Sequence, residues 1–186
     1  EMYGEVHFLR AFFYFELVKI YGDVPLFTHG RLTAGDSGTL TRVPKSEVYA
    51  VIESDLNSAI SALPAQKSTD GRATSFTAHA LLGKVYLYQG KYSEAANILE
   101  PLIGLYTLPS NPGSVFLVSG ENGPESVFEI QHSKESNGWN WGWLPQSTEG
   151  NFGVIHHGIR GYSGPVYSSG WSFNVPTQDL VDAFDA

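Results

Sequence analysis

The run Asn137-Gly138-Trp139-Asn140-Trp141-Gly142-Trp143 sets three indoles two residues apart. An extended backbone turns Trp139, Trp141 and Trp143 toward one face. Such a platform suits sugar rings, whose C–H faces stack on aromatic rings while a few polar groups fix orientation through hydrogen bonds to hydroxyls. Asn137, Asn140, Gln146, His156 and Arg160 are the polar groups expected to do so. Trp171, Tyr162 and Tyr167 extend the aromatic surface. Burial against a scaffold, or contact with a partner protein, accounts for these rings equally well, and the residues alone leave that choice open.

Other chemistries find less support. His156 and His157 are adjacent, so their side chains diverge on helix or strand, and no carboxylate lies within five residues of them; no metal and no cofactor are expected. A glycoside hydrolase needs two carboxylates across the sugar, and the Trp-rich segment offers only Glu135 and Glu149, neither in surroundings that would tune an acid. No Gly-x-Ser-x-Gly elbow and no Gly-Lys-Ser/Thr phosphate loop occur. Gly158, Gly161 and Gly164 read as turns, and Gly90-Lys91 as a turn between helices. The chain holds no cysteine, which removes disulfides, thiolate zinc and a Cys nucleophile but leaves the compartment open.

These residues need a scaffold, and the rest of the chain supplies one. Its 186 residues, 42% hydrophobic with a net charge of −8, suit one folded unit. Without a cluster of Lys and Arg, nucleic acid is an unfavourable partner. Apolar runs such as residues 11–15 fall far short of the ~20 needed to span a bilayer. The chain starts at Glu1 without a hydrophobic leader and stops inside an apolar pattern at Ala186, as an internal piece of a longer protein would.

Val6, Leu9, Phe13, Leu17 and Ile20 recur at steps of three and four and predict a helix over residues 1–21, with Phe8, Phe12 and Phe15 as a second stripe packed on another side. Residues 26–43, rich in Gly, Thr and Ser, read as a loop. A second helix over 44–63 carries Val48, Ile52, Leu56, Ile60 and Leu63 between Pro44 and Pro64. Thr74 is the expected N-cap of a third helix through residue 90. A fourth covers 92–103, with a bend or an early finish at Pro101. Leu82-Gly83, Tyr86, Gly90, Tyr92 and Ala95 resemble the tetratricopeptide pattern, in which Gly83 and Ala95 let two antiparallel helices approach while the tyrosines fill the gap. One repeat cannot bury its own face, so the first two helices should stack on it. Beyond residue 110 the composition changes. Residues 126–131 form a short β-prone run, residues 132–173 hold all four Trp, and a last helix begins near Pro176-Thr177. The fold class expected is mainly α: a tetratricopeptide-like helical-repeat scaffold (1–110), a long Trp/Gly-rich loop region (111–175) with minor β, and the start of a further helix (176–186).

Four ordered strings resemble the SusD/RagB family of outer-membrane nutrient-binding lipoproteins: Phe8-Leu9-Arg10-Ala11-Phe12-Phe13-Tyr14-Phe15 with Tyr21-Gly22-Asp23-Val24-Pro25-Leu26; Pro44 with Glu47-Val48-Tyr49, Asp55-Leu56 and Leu63-Pro64; Gly71-Arg72-Ala73-Thr74; and Val127-Phe128-Glu129-Ile130-Gln131 with Leu180-Val181-Asp182-Ala183-Phe184. The resemblance implies non-catalytic binding of glycans, or in some members peptides, at the outward-facing surface of the outer membrane, and delivery to a TonB-dependent transporter. It also implies a lipid anchor outside these residues. The matched strings are scaffold, so the resemblance transfers no ligand residue; it implies only that the segment after the Phe-Glu-Ile-Gln run contributes to the ligand face. The expected ligand-binding set is Trp139, Trp141, Trp143, Trp171, Tyr162, Tyr167, His156, Arg160 and Asn140. A helical-repeat scaffold for peptide or protein partners is the alternative, and a glycoside hydrolase using Glu135 and Glu149 comes third.

Overall fold

A computed structural model describes residues 1–28, 30–66, 69–132, 156, 158–164, 170–173 and 176–184. The chain divides into two compact units, Glu1–Ile130 and Gln131–Ala186.

The first unit is built from four helices: α1 (Met2–Tyr21), α2 (Lys45–Ala62), α3 (Ser75–Tyr88) and α4 (Tyr92–Leu99). Each packs against the next in sequence. Cross-helix contacts fix their directions. Phe15 meets Tyr49, His7 and Arg10 meet Asp55, and Gly4 lies against Leu63, so α1 and α2 run antiparallel. Gly83 in the middle of α3 faces Leu99 at the end of α4, giving the helical hairpin that the repeat pattern predicts. A Cβ on Gly83 would fall 2.5 Å from the Leu99 side chain, so only glycine allows this approach. The buried core consists of Phe8, Phe15, Ile52, Leu56, Leu82, Val48 and Val85 with smaller residues between them.

Local signals set the helix ends. Thr74 accepts from the Thr77 N–H while Thr77 Oγ1 accepts from the Thr74 N–H, closing a capping box at the start of α3. Gly90 takes φ +75° in the turn to α4. Pro101 falls in a 3-10 turn, Glu100–Leu102, so α4 finishes early, at Leu99.

Four expectations need correction. On α1 the buried face is Gly4, Phe8, Ala11, Phe15 and Val18, whereas Val6, Leu9, Phe13, Leu17 and Ile20 stay exposed, Phe13 to 61%. The small Gly4 and Ala11 admit α2 closely, and that close packing decides which stripe turns inward. Tyr92 is 69% exposed and does not fill the α3–α4 gap; Tyr86 does pack on the core. The loop over 26–43 is closed at its base by two short antiparallel strands, β1 (Val24–Pro25) and β2 (Arg42–Val43). Residues 126–131 form no strand, because no neighbouring strand among the described residues offers a ladder. Val127 and Phe128 pack on the helices instead, with the Val127 carbonyl accepting from Thr77 Oγ1 at 3.2 Å and Phe128 edge-on to Phe8. In the second unit, helix α5 (Gln178–Phe184) carries Asp179 in its first turn as expected.

Candidate functional site

Among the described residues, the aromatic surface forms in the second unit. Residues 156, 158 and 159 pair with residues 170–173 in the opposite direction: the Phe173 N–H donates to the His156 carbonyl (2.7 Å), that of Ser172 to Gly158 (2.9 Å) and that of Gly170 to Ile159 (3.0 Å). Gly170 is required here. A Cβ would land 2.3 Å from the Gly158 carbonyl oxygen, so its missing side chain is what lets the two backbones touch. Gly161, at φ +71°, turns the chain after Arg160, and the Tyr162 N–H closes that turn onto the Ile159 carbonyl.

The pairing gathers three rings. His156 and Trp171 have centroids 5.2 Å apart, Trp171 and Phe173 meet edge-on at 5.7 Å, and His156 lies 5.9 Å from Phe173. Arg160 joins the same group, its Nη2 donating to the Trp171 carbonyl (2.9 Å) and its backbone N–H to Ser172 Oγ (2.7 Å). An aromatic wall edged by an imidazole and a guanidinium can stack on an apolar ring face and hydrogen-bond to hydroxyls.

The structure thus brings together His156, Arg160 and Trp171 from the expected set. Tyr162 is half-buried beside Gly164, where a Cβ would meet its hydroxyl. Trp139, Asn140, Trp141, Trp143 and Tyr167 lie outside the described residues, as do Glu135 and Glu149. Phe173, 51% exposed, is the ring that sequence reasoning missed. No spacing signal marks it: the left-handed Ser172 (φ +58°) stands between it and Trp171, so the backbone pairing is what brings the two rings together.

The first unit carries charge of a different kind. Asp55, 2% exposed, accepts from Arg10 Nε (2.6 Å) and Nη2 (2.7 Å) and from His7 Nδ1 (2.5 Å). Arg10 Nη1 then donates to the Thr28 carbonyl at 2.7 Å, and the Tyr14 hydroxyl accepts from the Phe27 N–H at 2.7 Å. This cluster ties α1 to α2 and to the start of the loop. The bond to Asp55 raises the Arg10 pKa further above its ordinary value. Two small clefts of about 150 and 200 Å³ share Gly71, Arg72 and Phe128. Arg72 is engaged with Glu5 through two bonds of 2.7 and 2.6 Å, and Phe128 with Phe8 and Phe12, so these walls serve packing on α1. Among the described residues, no three His, Asp or Glu side chains come close enough to share a metal ion. No described helix is long and apolar enough to cross a membrane.

Residues 1–87 match the SusD-like family described as "Starch-binding associating with outer membrane". A solved structure, "Laminarin binding SusD-like protein", superposes with a TM-score of 0.83 at 37% identity, covering 98% of this chain. The chain is SusD-like in sequence and fold. This SusD-like chain covers 42% of that laminarin-binding chain. Two SusD-like proteins of Formosa agariphila are each 28% identical to it over 191 residues, and it spans 36% of their length. A SusD-like protein of Bacteroides fragilis, 36% identical, matches 69% of the chain with a TM-score of 0.63. Tetratricopeptide-like packing of α1 to α4 agrees with this fold family.

Proposed function

We propose that this SusD-like chain supplies the helical scaffold and part of the ligand face of a protein that binds neutral polysaccharide without cleaving it. A β-glucan of the laminarin type is the first candidate ligand. The observation that carries this reading is the extent of the likeness to the laminarin-binding protein. A match over 69% of the chain can be met by the first unit alone, whereas 98% must include the Trp-rich segment. Trp171, Phe173 and His156 form the stacking surface, and Trp139, Trp141, Trp143, Tyr162, Tyr167 and Asn140 join it. The whole protein is held at the outward-facing side of the outer membrane through a lipid anchor and passes its ligand to a TonB-dependent transporter beneath.

Electrophoresis in native gels containing laminarin tests this directly. The chain should be retarded relative to a gel without polysaccharide, and reducing ends in a parallel long incubation should stay constant. Unretarded migration in laminarin and in other neutral glucans would contradict binding. Steady release of reducing sugar, lost in Glu135→Gln or Glu149→Gln, would replace it with a hydrolase. Retention by peptides alone would favour the protein-partner reading.

A further inference from the structure

We infer that Arg160 is a positioning residue for Trp171, acting through the indole and not on the sugar; this rests on the glycan-binding reading above. Ser172 sets the problem that Arg160 solves. It takes φ +58°, a left-handed conformation rare for a residue with a side chain, directly between the two rings Trp171 and Phe173. Such a conformation persists only where its surroundings over-determine it.

Here the surroundings are Gly158 and Arg160. The Ser172 N–H is held by the Gly158 carbonyl, and Ser172 Oγ accepts from the backbone N–H of Arg160. The Trp171 carbonyl in turn accepts from the Arg160 guanidinium. Arg160 therefore grips both residues that set the direction of the indole. A two-stranded ribbon is marginal on its own, so the guanidinium contact, the one of the two that depends on the Arg160 side chain, holds the rings in one arrangement. Arg160 and Lys134 are the only Lys or Arg between residues 132 and 173, so within that segment no second arginine can take over the contact.

A double-mutant cycle tests the inference: laminarin affinity of the 186-residue chain as wild type, Arg160→Ala, Trp171→Ala and the double variant, with the near-ultraviolet circular dichroism of each unliganded protein. A charge-assisted hydrogen bond lost from the backbone carbonyl of a ligand-binding tryptophan should weaken affinity about tenfold. If Arg160 acts through Trp171, the double variant binds no worse than Trp171→Ala. Arg160→Ala should also reduce the tryptophan bands of the unliganded protein, and Arg160→Lys, whose ammonium is a point donor, should restore them only in part. Additive losses in the double variant, or tryptophan bands unchanged by Arg160→Ala, would overturn the inference. Failure of the wild type to bind laminarin, or a Trp171→Ala variant that binds normally, would instead strike the glycan-binding site. In either case the dichroism of the unliganded proteins still decides whether Arg160 positions Trp171.

Discussion

The two units of this chain are organised by different forces. Residues 1–130 bury a continuous apolar core across α1, α2 and α3, and a carboxylate at 2% exposure, Asp55, is fully engaged by Arg10 and His7. In residues 131–186 the described contacts include backbone bonds, a glycine-to-glycine backbone contact, the Arg160 bonds to Trp171 and Ser172 and a group of part-exposed rings. A core of close-packed side chains resists deformation and supplies stability. On the function proposed above, rings left half-exposed on a hydrogen-bonded ribbon keep their apolar area for a ligand. Stability and recognition would then be separated along the sequence. The separation can be measured because all four Trp lie between residues 139 and 171, so tryptophan signals report on the second unit and far-ultraviolet dichroism mainly on the helices.

The strongest way to break this contrast is Asp55→Ala. It strands the Arg10 guanidinium and removes the joint between α1, α2 and Thr28, and breaking such a buried pair costs about 3–5 kcal/mol. Urea unfolding followed by far-ultraviolet dichroism should show that loss. A change below about 1 kcal/mol, the range of exposed ion pairs, would mean that the cluster is ornamental.

Gly83→Leu comes next. Its side chain must enter space held by Leu99, and overpacking of this kind costs about 1–3 kcal/mol. The helical melt should shift downward while tryptophan emission before the transition stays as in wild type. Thr74→Ala sharpens the same contrast with the smallest effect. It deletes the side-chain oxygen that accepts from the Thr77 N–H and should cost about 1 kcal/mol, with laminarin affinity untouched.

How much of this was legible in the sequence follows the same division. Helix positions were readable because apolar spacing, Thr74, Gly90 and the prolines are local signals that packing did not override. The inward face of α1 was not, since apolar residues surround the helix and both stripes satisfy the same period. Only the fit of Gly4 against Leu63 and of Ala11 in the core distinguishes them, and that is a tertiary fact. The Asp55 cluster was missed because its partners lie 45 and 48 residues away in the chain. At the candidate site, residue types pointed to Trp171, His156 and Arg160. Phe173 and the left-handed Ser172 depend on the pairing of residues 156, 158 and 159 with 170–173, which no short-range pattern announces.

The separation of scaffold from ligand face is tested most directly by titrating laminarin into wild type and Trp171→Ala in the calorimeter while recording the thermal melt of both. A ring that stacks on the ligand should lose about 2 kcal/mol of binding when truncated, as interface hot spots do, with the helical melting temperature unchanged. Wild-type affinity in Trp171→Ala would contradict the account. So would a loss of binding accompanied by about 3–5 kcal/mol of destabilisation, the signature of an aromatic side chain removed from a core.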